Sequence, residues 1–190
     1  MNERPRGIVA ETKDNLVHAV EGVGDIGGAV VDTVAKLMVR TLRGTKAVGE
    51  EVLSLGAGVV TGAVHGVTAV GGEVGSSARS IMVGALRGTG EVGKATVTTV
   101  STNAEALVKG ASEVGGSIGG ATKGAVEGAI EMARDMGVSA EEAASAAGSG
   151  ALKAAGSISE TAVHQVRRTL SSTISGVKVV VTEPFRPTKH

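Results

Sequence analysis

Residues 22–49, GVGDIGGAVVDTVAKLMVRTLRGTKAVG, match residues 66–93, GVTAVGGEVGSSARSIMVGALRGTGEVG, at 13 of 28 positions, 44 residues further along the chain. Glycine recurs at half of that interval, in one series at 22, 44, 66, 88 and 110 and in a second at 27, 49, 71, 93, 115 and 137. A fainter third copy runs from 110 to 137. Self-similarity at a fixed interval is the signature of a repeat protein.

The 22-residue interval is twice eleven, and eleven residues make three helical turns at about 3.67 residues per turn. Side chains eleven positions apart therefore point the same way along a helix. One apolar series at this spacing, called the anchor series below, comprises Ile26, Leu37, Val48, Val59, Val70, Ile81, Val92, Val114 and Met136, with Asn103 and Ala125 in the same phase. Charged residues fall mainly on the opposite face, which predicts an amphipathic helix.

Proline occurs only at positions 5, 184 and 187, and the apolar register continues from about Ile8 to Val177. These features predict an all-α, elongated fold of long amphipathic helices. We expect a flexible start at 1–8, a repeat region at 9–137, a second helical segment in the same register at 138–178, and an extended or disordered tail at 179–190. The patterns Thr102-x-x-Glu105 and Ser139-x-x-Glu142 resemble capping boxes and predict helix breaks near 101–103 and 137–139.

Composition argues against a conventional core, since 42% of the residues are hydrophobic but only 1% are aromatic, and 30 are glycine. Valine, alanine and glycine bury little area per residue, so we expect the apolar face to need an external surface or partner helix. The formal charge is zero and cysteine is absent. Nucleic acid is therefore not an expected partner. The opening residues carry no apolar run typical of a signal peptide, so a cytoplasmic, peripheral location is expected.

Two further patterns concern lateral packing. One edge of the polar face is basic and comprises Lys13, Lys46, Arg79, Lys123, Arg134 and Arg167, whereas the opposite edge is mainly acidic. Parallel neighbours would place unlike edges together, so we predict parallel packing, with copies of the same chain as candidate partners. Gly116, Gly120, Gly124 and Gly128 recur every four residues and predict a groove in which helix backbones approach closely.

Motifs that suggest chemistry are explained by the repeat. Residues 22–27 and 88–93 fit G-x-G-x-x-G, and Lys94 follows the second copy, but position 95 is alanine where a phosphate loop needs serine or threonine. The four histidines are scattered without ligand spacing. We therefore expect no enzyme activity, cofactor, metal or small-molecule substrate. Residues 53–72 lack charge over about the length of a membrane span, although six glycines and His65 disfavour insertion.

Residues 59–71, VVTGAVHGVTAVG, and residues 27–31, GGAVV, resemble the eleven-residue repeats of synucleins, and residues 94–130 are similar to the repeats of lipid-droplet perilipins. The resemblance covers most of the chain in pattern and only short stretches in sequence. It implies a chain that is disordered in water and becomes helical on lipid. This chain departs from the synuclein pattern because it has one basic and one acidic edge and no acidic tail.

Two functions fit these features. The first is a non-enzymatic structural protein whose amphipathic helices coat a lipid droplet, membrane or storage granule, with the anchor series inserted in the surface. The second is a self-assembling subunit of a filament, sheet or tube, packed through the apolar arc and the glycine grooves. Desiccation protection and an inner-membrane protein remain as further alternatives.

Overall fold

The structure is a computed structural model that describes residues 4–21, 23–44 and 49–181, with side chains from residue 7. Within these ranges the chain forms eight α-helices and one short hairpin. The helices are α1 Arg4–Val20, α2 Ile26–Arg43, α3 Glu50–Ala69, α4 Val74–Glu91, α5 Val97–Glu113, α6 Ile118–Ala133, α7 Ala140–Ile158 and α8 Glu160–Leu170. Strands β1 Thr173–Ile174 and β2 Val177–Lys178 pair antiparallel. The predicted all-α class is confirmed.

Each of the first five helices contacts the helix two places along the chain more extensively than its immediate successor. The odd helices α1, α3, α5 and α7 form one layer, and α2, α4 and α6 form a second layer packed against it. The order of contacts shows that same-layer neighbours run parallel: Gly62 of α3 lies beside Val9 and Thr12 of α1, and Gly66 lies beside Leu16. Every turn between α1 and α7 therefore crosses from one layer to the other.

A glycine with positive φ ends each of four helices, 22 residues apart. Gly71 has φ +77°; its N–H donates to the Thr68 carbonyl, and the next N–H, of Gly72, donates to the Val67 carbonyl. These two bonds define a Schellman motif, which satisfies the last carbonyls of α3 and requires the left-handed conformation that glycine adopts at little cost. Equivalent pairs of bonds occur at Gly93, Gly115 and Gly137.

The turns correct the prediction of long helices with at most two breaks, because the longest of the described helices has 20 residues. The predicted break at 137–139 is confirmed: Ser139 caps α7 by accepting from the Glu142 N–H at 3.0 Å. The predicted break at 101–103 is wrong, because these residues lie inside α5. The cap of α5 is Thr96, whose side chain accepts from the Thr99 N–H while Thr99 reaches back to the Thr96 N–H.

The four predicted segments correspond to the observed helices and strands in the following way. Residues 4–8, predicted as flexible, lie in α1, and residues 9–137 contain the rest of α1 through α6. Residues 138–178 contain α7, α8 and the hairpin. The predicted tail begins at Val179, which is buried, whereas residues 182–190 lie outside the described part of the chain.

One continuous hydrophobic core lies between the layers. Its largest fully buried side chains are Leu16, Met38, Ile81, Met82, Leu86, Leu107 and a set of valines that includes Val30, Val34, Val59 and Val60. Of the two expected covers for the apolar face, an external surface or a partner helix, the described chain has the second, since helices of its own second layer cover the first layer. Close approach of the backbones at glycine lets these small side chains fill the interior.

Candidate functional site

The anchor series alternates between two environments. Leu37, Val59 and Ile81 lie in mid-helix and are buried in the core. The second group is partly buried and occupies the last position before a positive-φ glycine: Val70, Val92, Val114 and Met136. Ile26 begins α2 and is 47% exposed. Val48 lies outside the described residues.

This alternation follows from the length of one helix plus its turn, which is 22 residues, or two steps of eleven. A step of eleven from a core position in mid-helix reaches the helix end, and a second step reaches the next core position. The apolar phase therefore continues through the turns at Val70, Val92 and Val114 and is not restricted to helices. In the folded chain these three valines pack against the core from the helix ends, and they do so in the phase of the mid-helix residues.

The glycine ladder predicted as a groove lies on the side of α6 that faces α4. A Cβ built on Gly124 would lie 2.5 Å from the Ala78 Cβ, and one on Gly128 would lie 2.7 Å from the Met82 Cβ. Gly120 approaches the Gly75 Cα, and Gly116, just before α6, approaches Val74. The ladder therefore contacts a helix of the same chain.

The same arrangement recurs where it was not predicted as a site. Gly84 and Gly88 of α4 lie against Val31, Val34, Ala35 and Met38 of α2, and Gly150 of α7 contacts the Ser101 carbonyl of α5. The four-residue spacing of Gly84 and Gly88 was the sequence signal. Two glycines four residues apart are a weaker signal than the four glycines of the ladder at 116–128.

Ion pairs in the described residues tie helices within a layer more often than across layers. Arg79 of α4 binds Glu131 of α6 at 2.7 Å, and Lys153 of α7 binds Glu105 of α5 at 2.9 Å. Two further same-layer pairs are Arg87–Asp32 at 3.5 Å and His65–Glu113 at 3.2 Å. The pair that joins the two layers is Arg40–Glu11 at 3.0 Å. Apolar contact therefore provides most of the adhesion between layers.

The predicted basic edge is distributed over both layers. Lys13 lies on α1, Arg79 on α4, Lys123 on α6, Arg134 at the end of α6, and Arg167 on α8; all of these side chains are exposed. Lys123 lies 3.8 Å from Glu127 on its own helix. Lys46 lies outside the described residues. The fold therefore does not bring these residues together on one face.

Glu105 of α5 binds two ammonium groups, that of Lys109 at 2.6 Å and that of Lys153 at 2.9 Å. Burial alone would raise the pKa of Glu105, but hydrogen bonds from the ammonium groups of Lys109 and Lys153 outweigh it and hold the pKa below its ordinary value. A lowered pKa means that the contribution of Glu105 to stability is present above the pKa of the unfolded carboxyl. That contribution is lost as the pH falls through the lowered folded-state pKa.

Asn103 occupies an anchor-phase position in α5, where Leu37, Val59 and Ile81 stand in other helices. Its side chain is 1% exposed, and its Nδ2 has no hydrogen-bond partner. Gly56 of α3 lies beside it: a Cβ built there would be 3.7 Å from the Asn103 Oδ1. An unpaired buried amide costs free energy because it has lost its bonds to water.

We predict that Asn103→Val raises the free energy of unfolding by about 1–2 kcal/mol, because it removes the unpaired donor and adds apolar volume to the core. Urea denaturation followed by circular dichroism measures this change. Thr102→Val, one position away and partly exposed, serves as the control and should change stability by less than about 0.5 kcal/mol. A loss of stability in Asn103→Val would show that the amide has a partner in solution.

The stretch 88–93, which fits a phosphate-binding pattern, forms the end of α4. Gly88 is buried against α2, and Gly93 is the left-handed residue after the last turn. Phosphate loops instead precede a helix and present N–H groups. A cleft of about 470 Å³ lies between the start of α3 and the start of α5, lined by residues that include Val52, Leu53 and Thr96. No group of three metal-ligating side chains occurs among the described residues.

Helix α3, Glu50–Ala69, is the one described helix that is long and apolar enough to cross a membrane by length and composition alone. Within this helix, 61% of the most apolar window is buried inside the protein. Core helices of folded proteins meet the same criteria, so this property does not by itself indicate a span.

No protein-family model matches the chain, and no curated protein matches it at a significant level.

Proposed function

We propose that the chain is a non-enzymatic structural protein with two states. In water it forms the closed two-layer array described above. On a lipid or granule surface the helices separate. The chain then forms an extended amphipathic helix whose anchor series is inserted in the surface. The protein would then be cytoplasmic and peripheral to a membrane, lipid droplet or storage granule.

The observation that carries this proposal is the apolar phase at the turns. In the closed array the apolar side chains at the helix ends pack against the core, but packing at a turn does not require the phase of a continuous helix. Here Val70, Val92 and Val114 keep the phase of Val59 and Ile81. If the turns became helical, the separate stripes would join into one stripe along the whole repeat region.

The amino-acid composition of the core supports a small difference in free energy between the closed array and the surface-bound helix. The layers meet through valine, alanine and leucine with no aromatic side chain among the described core residues. Burying the apolar face in lipid would gain a free energy of about 25 cal/mol per Å², similar to that of burying it against the other layer. The turn glycines oppose the change by about 1 kcal/mol each once they enter a helix.

Self-assembly through the glycine grooves remains the alternative, supported by the parallel packing of same-layer helices. Its support is weaker because the ladder is occupied by the chain's own helices. In addition, the first helix of each layer has a polar residue at the position that corresponds to a groove glycine in the next repeat. His18 of α1 corresponds to Gly62, and Arg40 of α2 corresponds to Gly84, each 44 residues later. Polar side chains at these places suit the solvated end of an array, as in capped repeat proteins.

The proposal is tested by a distance across the odd layer. Ser54 of α3 and Thr98 of α5 are exposed and 44 residues apart on parallel neighbours. Because the chain has no cysteine, Ser54→Cys and Thr98→Cys introduce two unique labelling sites. Pulsed electron resonance should give a separation near the spacing of packed helices, about 10 Å between axes, in buffer. On vesicles we expect about 66 Å, the length of 44 helical residues.

The control pair lies within one helix, at Glu141→Cys and Ser149→Cys of α7, and its separation should not change. Neutral and anionic vesicles are compared, since the chain has no net charge. A short Ser54–Thr98 separation on protein bound to vesicles would contradict the opening. Absence of binding to either vesicle, with filaments seen by negative-stain microscopy, would favour self-assembly instead.

A further inference from the structure

The odd layer ends at α7, whose outer edge would otherwise be open. Leu16 of α1 contacts Gly66 of α3, so Leu16 marks the edge of an odd helix that faces the next odd helix. Gly148 of α7 lies three 44-residue intervals after Leu16, so it has the position in α7 that Leu16 has in α1. Gly148 therefore lies where a ninth helix would dock, and the chain has no such helix in its described part.

The C-terminal segment occupies this place. A Cβ built on Gly148 would lie 2.8 Å from the Val181 Cγ1, 2.9 Å from the Val179 Cγ1 and 3.4 Å from the Leu170 Cδ1. Ile174 and Val177 of the hairpin are also buried. The hairpin turns at Ser175 and Gly176, both with positive φ, as in a type I′ turn.

We propose that residues 171–181 are a displaceable latch that closes the edge of α7 and controls opening of the array from this end. The inference deepens the proposed two-state function, because α7 cannot extend while the segment lies across it. The segment is suited to release because its strands have two residues each, so that strand pairing adds little to the packing of Ile174, Val177 and Val179 that holds it. It can therefore leave before the helices separate.

Limited trypsin digestion tests the latch without lipid. Lys178 is exposed in β2, and cleavage after it requires the segment to leave α7, whereas cleavage after Lys153 inside α7 requires the array to open. We expect cleavage after Lys178 to be at least about tenfold faster than after Lys153, since proteolysis follows the population of the open form. Equal rates at the two sites would overturn the proposal.

Two substitutions should move the latch in opposite directions. Gly148→Ala places a methyl group against Val179 and Val181 and should increase the rate of cleavage after Lys178 about tenfold. Ser175→Asn should decrease that rate about twofold, because Asn-Gly is the preferred type I′ sequence. Gly156→Ala is the matched control on α7, since nothing lies within 4 Å of its added Cβ. An unchanged rate in folded Gly148→Ala would overturn the proposal.

Vesicle binding separates this inference from the function on which it rests. Gly148→Ala should bind vesicles faster than Gly156→Ala, and Ser175→Asn should bind more slowly. If the rates of binding are equal although cleavage after Lys178 differs, the segment does not control opening and the proposal fails. If the unsubstituted protein binds no vesicle, the proposed function fails, and the trypsin result decides on its own whether the segment releases before the array opens.

Discussion

Replacing Gly124 by alanine is expected to lower the free energy of unfolding by about 2 kcal/mol or more, although alanine favours helix over glycine. The added Cβ would lie 2.5 Å from the Ala78 Cβ and 2.7 Å from the Arg79 backbone N. Neither atom belongs to a flexible side chain, so α4 and α6 must move apart. That movement also weakens the neighbouring contacts of Gly120 and Gly128 in the same groove.

Gly156→Ala provides the matched comparison, because Gly156 is an exposed helical glycine with open space around it. It should raise the free energy of unfolding by up to about 1 kcal/mol through helix propensity. Urea denaturation of both variants therefore measures a difference of about 3 kcal/mol that arises from the helix interface. Similar values for the two variants would show that α6 and α4 are not in close contact in solution.

Replacing Gly71, Gly93 and Gly115 together by alanine should lower stability in buffer and strengthen binding to vesicles. These glycines have φ near +70°, where alanine costs about 1 kcal/mol each, and no atom lies within 4 Å of the added Cβ. The closed state should therefore lose about 3 kcal/mol. In a continuous helix each alanine should instead gain about 1 kcal/mol over glycine.

The opposite signs make this variant a sharp test of the proposed function. Denaturation in buffer and titration with vesicles are measured on the same preparation, with Gly156→Ala as the control that favours helix in both states. If vesicle binding weakens together with stability, then the turns persist on the surface and the extended helix does not form.

The fold class, the apolar register, the turn at 137–139 and the groove at 116–128 follow from the sequence by periodicity and capping chemistry. The remaining turns do not, because Gly71 at a helix end and Gly66 inside a helix have the same spacing and similar neighbours. Only packing distinguishes them. The burial of Val59 and Ile81 was missed for a related reason: an amphipathic stripe predicts that a face is covered and does not identify what covers it.

The layers are interleaved along the chain, since each turn from α1 to α7 crosses between them. A newly synthesised helix therefore finds its closest partner about 45–50 residues behind it, as with Gly110 of α5 beside Val64 of α3. Such a contact requires only that the two preceding helices have already been made. The array is thus suited to grow helix by helix from α1 during synthesis, and residues 171–181 cover the edge of α7 once that helix is in place.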